Sequence, residues 1–123
     1  MNFRKALALA SIILVSSLAT TASADDPERP LHVRISPTMA HAPADLYIYV
    51  SVARRPDNRL LRVSAESDDF FRSSETQLDG ENSARVTVVR FRELPAGDYE
   101  IRAELIVSTG RTVDTAKRSV EVF

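Results

Sequence analysis

From Leu31 onward the chain alternates apolar and polar residues with a period of two, and no stretch of it keeps a helical period. Leu31-His32-Val33-Arg34-Ile35 opens the pattern. Leu46, Ile48, Val50 and Val52 continue it, with Tyr47, Tyr49 and Ser51 between them. Tyr99, Ile101, Ala103, Leu105 and Val107 form the longest unbroken run. Successive side chains of a strand point to opposite faces, so such alternation describes strands with one face buried and one solvated. A chain of this kind hides its apolar faces by stacking one sheet on another.

Turn residues divide the pattern. Pro37 ends the first strand, and Thr38 to Ala44 connect it to the second. Arg55-Pro56-Asp57-Asn58 is a turn, and Arg59 to Glu66 is a third strand with Leu61, Val63 and Ala65 inward. A short edge strand is expected within Phe70 to Leu78, then a turn at Asp79-Gly80-Glu81-Asn82. Ala84 to Phe91 is the fifth strand, with Val86 and Val88 inward. Val89 and Phe91 have the other parity, which predicts a bulge near Val88. The last strand runs from Arg111 to Val122, and a second bulge should reconcile Val113 with Val120 and Val122. The fold class is all-β: a seven-stranded antiparallel immunoglobulin-like sandwich with Greek-key connections, over residues 31–123.

The N-terminus has a different character. Arg4 and Lys5 precede an apolar run from Ala6 to Val15, and small residues lead to Ala22-Ser23-Ala24. A charged start, a short apolar run and an Ala-x-Ala end are the parts of a secretory signal peptide. The run is shorter than the ~20 residues that span a bilayer. Residues 1–24 are therefore read as a signal cleaved after Ala24, giving a periplasmic or secreted product with no membrane span. Residues 25–30, Asp-Asp-Pro-Glu-Arg-Pro, read as a leader without regular structure.

Leu94-Pro95-Ala96-Gly97-Asp98-Tyr99 resembles the corner between strands E and F of immunoglobulin-like domains. There a Gly precedes by two residues a Tyr that bonds back to upstream backbone. Gly97 and Tyr99 are the matching structural residues. The antibody pattern has a Cys two residues after that Tyr, where this chain has Ile101, and the chain contains neither Cys nor Trp. The pattern is similar to disulfide-free bacterial immunoglobulin-like or fibronectin type III modules. The same stretch, with Ile35-Ser36-Pro37, also resembles the copper-resistance protein CopC family, which implies an alternative role as a small periplasmic copper carrier. That family binds copper through an N-terminal His and an Asp-x-His in the last loop. Here Asp25-Asp26 and Ser108-Thr109-Gly110 stand in those places.

Candidate chemistry is sparse. Met39 and His41 lie two apart and could offer a thioether and an imidazole to Cu(I), although as surface residues they make a thin site. Asp68, Asp69, Asp79 and Glu81 offer oxygens, but at a spacing unlike a calcium loop. The two histidines are His32 and His41, there is no Gly-x-Ser-x-Gly elbow, and the 3 glycines form no phosphate cradle. A sandwich of about 100 residues is nearly all core, so the sequence argues against an enzyme and against any cofactor. A net charge of −1 argues against a nucleic-acid binder.

What remains is a face. With the first, second and fifth strands adjacent, His32, Arg34, Tyr47, Tyr49, Arg85 and Thr87 would share one outer surface. Tyr and Arg are enriched at protein interfaces, although the same pairs also stabilise a sheet by stacking across strands. Phe70-Phe71 adds a second possible contact, since adjacent strand residues cannot both face inward. The expected function is that of an exported, non-catalytic module that binds another protein or an envelope component. Edge strands leave a homodimer open.

Overall fold

The structure is a computed structural model that describes residues 29–123. The signal segment and most of the leader lie outside the described residues. The described residues form eight strands: β1 (Leu31–Ser36), β2 (Met39–Ala40), β3 (Ala44–Val52), β4 (Asn58–Glu66), β5 (Phe71–Gln77), β6 (Val86–Leu94), β7 (Gly97–Val107) and β8 (Thr112–Val122). They form a three-stranded sheet, β1-β3-β6, and a five-stranded sheet, β2-β8-β7-β4-β5. Every pairing is antiparallel except the two-residue β2 beside β8. This is the all-β immunoglobulin-like sandwich that the alternation implies. Strand β2 arises because the chain leaves the first sheet at Pro37 and touches the second before β3 begins.

The inward residues of both sheets close one core. Leu46, Ile48 and Val50 from β3 meet Leu61, Val63 and Ala65 from β4 and Ile101, Ala103 and Leu105 from β7, all without solvent exposure. Each such Leu, Ile or Val contributes about 1.5–3 kcal/mol by leaving water. That burial offsets the conformational entropy lost on ordering the chain. At the near end, Arg29 ties the entry of the chain to β8, donating to the Asp114 carboxylate at 2.6 Å and to the Thr115 carbonyl at 2.9 Å.

One local expectation is corrected, and the bulge expected in β8 is located. In β6 it is Val89 and Phe91 that are buried, while Val86 and Val88 are about half exposed. The bulge lies not at Val88 but farther along: Leu46 faces Phe91 and Ala44 faces Leu94, so Asp45 stands opposite both Arg92 and Glu93. Glu93 takes a positive φ of 55° there. The Asp45 carboxylate holds this bulge, accepting the Glu93 N–H at 2.9 Å and an Arg90 N–H at 2.7 Å. In β8 the extra residue is Val113 itself, because Leu105 faces Asp114 and Ile106 faces Thr112. Ala116, Val120 and Val122 then stay in phase toward the core.

Candidate functional site

The outer face of the three-stranded sheet brings together aromatic, aliphatic and cationic side chains from all three strands. Register aligns Arg34 of β1 with Tyr49 of β3, and Tyr49 in turn with Val88 of β6. One row farther along, Tyr47 lies opposite Arg90, and in the other direction His32, Ser51 and Val86 share a row. The Arg34 guanidinium sits over the Tyr49 ring at 4.4 Å, and that of Arg90 lies 5.3 Å from the Tyr47 ring. Each pair fixes a long cation against an aromatic face. Asp45 draws Arg90 from the other side. The Glu93 N–H and then Arg90 hold the Asp45 carboxyl below the usual Asp range, and Asp45 raises Arg90 in return.

The patch differs from the sequence expectation along β6. Arg85 precedes the strand and Thr87 is half-buried toward the core side, so neither sits beside the tyrosines. Val86, Val88 and Arg90 occupy those positions instead. Arg85 joins Arg29, His32 and Arg54 around a shallow depression of about 450 Å³ at one end of the sheet.

The other candidates do not converge. Met39 is exposed on β2, whereas the His41 ring packs edge-on against Phe123 at 4.3 Å, and His32 belongs to the other sheet. Asp68 and Asp69 precede β5 while Asp79 and Glu81 follow it. Seven residues of strand hold the two pairs about 20 Å apart. Among the described residues no group of three or more His, Cys, Asp or Glu side chains is placed to hold a metal ion. At the corner, the buried Tyr99 donates its hydroxyl proton to the Pro95 carbonyl at 2.6 Å. Gly97 lies where an added Cβ would come 3.2 Å from the Ser67 side chain. Phe70 rests against Tyr99 with ring centres 6.3 Å apart, which leaves Phe71 exposed. No described helix is long and apolar enough to cross a membrane.

No family model matches this chain, and no curated protein sequence does. Among solved structures it is similar to the superoxide reductase (neelaredoxin) from Ignicoccus hospitalis, with a TM-score of 0.58 and 10% identity over 77% of this chain and 81% of that one. It is also similar to part of a family 76 glycoside hydrolase from a bovine Bacteroides thetaiotaomicron strain, at a TM-score of 0.54 and 9% identity. That match covers 75% of this chain and 20% of the hydrolase. These likenesses define the class as β-sandwich. They also overturn one inference from the sequence, that a sandwich this small is too nearly all core to serve an enzyme. A superoxide reductase is an enzyme, and this fold makes up most of its chain, so size does not exclude catalysis.

Proposed function

We propose that the chain is an exported immunoglobulin-like module, of the disulfide-free fibronectin type III-like kind, that docks onto a protein or envelope component. The docking surface is the outer face of the three-stranded sheet. The observation that carries the reading is the stacking of Arg34 on Tyr49 and Arg90 on Tyr47 beside the exposed Val86 and Val88. Aromatic and Arg side chains dominate the energetics of protein interfaces. Side chains already held by stacking lose less freedom on binding than free ones. Export is supported by the charged, apolar and Ala-x-Ala segments of residues 1–24.

The test is crosslinking capture from an envelope extract with the wild-type chain and the double variant Tyr47→Ala/Tyr49→Ala. Both side chains point out of the core, so the variant should remain folded and melt cooperatively, at a lower temperature than wild type because both stacks are lost. A several-fold loss of captured partner is expected. Equal recovery by the two proteins would remove this face from the reading.

A further inference from the structure

The edge of β6 next to this face has hydrogen-bonding groups with no strand beside them. The Val52 N–H donates to the Arg85 carbonyl at 2.9 Å, which places that pair in the bonded class of the antiparallel ladder. Bonded and non-bonded pairs alternate. Val50–Thr87, Ile48–Val89 and Leu46–Phe91 are therefore bonded as well. Val86, Val88 and Arg90 turn their N–H and C=O groups the other way. Among the described residues no strand pairs there, since β6 ends its sheet. The Arg92 carbonyl, beyond them, accepts from the Arg72 side chain.

The remaining edges are guarded. Register with Ala65 turns Arg72 of β5 to the inner side, and an inward charged residue discourages a further strand. Strand β2 is two residues long, and β1 lies against β8. The open stretch of β6 has no inward charged residue: Thr87 and Val89 face inward, and Val86 and Val88 are exposed beside it.

We infer that the free edge of β6 takes up an extended acidic polypeptide segment of another protein as an added strand. Charge selects the occupant. Arg85 and Arg92 flank the open stretch and Arg34 stands on the same face, while Arg90 and Asp45 offset each other as a pair and Glu93 lies beyond, at the bulge. A second copy paired edge to edge would bring four flanking arginines together, Arg85 and Arg92 from each, whereas carboxylates at the ends of an incoming strand would meet them. The added strand bonds through its main chain and places alternate side chains beside Val86 and Val88, the mode known as β-strand addition. The inference rests on the docking face proposed above and names what docks there.

The probe is the peptide Asp-Glu-Val-Thr-Val-Glu-Asp, titrated into isotopically labelled protein with amide hydrogen exchange read by NMR. Binding should slow exchange at Val86, Val88 and Arg90 by about tenfold or more and leave Thr87 and Val89 unchanged. A peptide with Lys in place of each acid should not bind. Val88→Pro removes one outward N–H without touching the ladder to β3, and should weaken binding about tenfold. Binding without protection of those three amides, protection along β1 instead, or undiminished binding by Val88→Pro would each overturn the inference. So would a wild-type dimer that Val88→Pro dissociates. If the acidic peptide fails to bind while Tyr47→Ala/Tyr49→Ala still lowers envelope capture, strand addition is refuted and the docking face stands. If that variant also captures normally, both readings fall.

Discussion

Replacing Tyr99 by Phe tests whether the corner hydroxyl contributes what its geometry implies. The residue is 2% exposed, and its hydroxyl makes one short bond, 2.6 Å, to the Pro95 carbonyl. Phe keeps the ring and its contact with Phe70, so only that bond is lost. A net intramolecular hydrogen bond contributes about 0.5–1.5 kcal/mol. Pro95 itself is exposed, so its carbonyl can regain water when the donor is gone. The expected loss is therefore near the middle of that range, about 1 kcal/mol. For a domain of this size that lowers Tm by about 4–8 °C. In urea it moves the midpoint by roughly 0.5–1 M with no change in slope. Tyr99→Leu, which also empties ring volume from the core, should cost about 2–4 kcal/mol more. Parallel urea titrations of the three proteins measure both steps. Tyr99→Phe indistinguishable from wild type would show the bond to be energetically silent. Tyr99→Phe as damaging as Tyr99→Leu would show that the hydroxyl, not the ring, holds the corner.

Two further outcomes follow from backbone geometry and charge. Gly80 and Gly110 both have positive φ, 51° and 82°, but a Cβ on Gly80 would lie 2.8 Å from the Pro56 carbonyl oxygen while one on Gly110 meets nothing within 4 Å. Gly80→Ala should lower stability by about 1–2 kcal/mol more than Gly110→Ala in chemical denaturation, and equal losses would refute the clash. Because the folded state lowers the Asp45 pKa, its contribution to stability is present above the unfolded value of about 3.9 and is lost as pH falls through the lower folded value. NMR titration should place the Asp45 carboxyl below 3.9 and closer to it in Arg90→Ala. Titration of the wild-type group at or above 3.9 would contradict the assignment.

The readable parts of the chain were those in which one phase satisfies every apolar residue. In β3, Leu46, Ile48, Val50 and Val52 share one parity, so the opposite parity had to turn Tyr47 and Tyr49 outward, and the structure places them so, Tyr47 exposed and Tyr49 half-buried. Strand β7 is equally unambiguous. Strand β6 has Val86 and Val88 in one phase and Val89 and Phe91 in the other, and composition cannot choose between them. The choice is made by the bulge at Asp45, where Glu93 accepts a positive φ with no glycine to announce it. That one local feature decides which β6 side chains border the tyrosines, so Val86, Val88 and Arg90 were hidden and Arg85 and Thr87 were misplaced. Strand β2, at two residues, is too short to have a period at all.

The unequal treatment of the two long borders, β5 with its inward Arg72 and β6 without such a residue, bears on stoichiometry. A sandwich that takes an added strand at only one of these borders is completed by a single guest. Complexes should therefore form at one to one, and concentrated solutions should saturate rather than elongate into fibres.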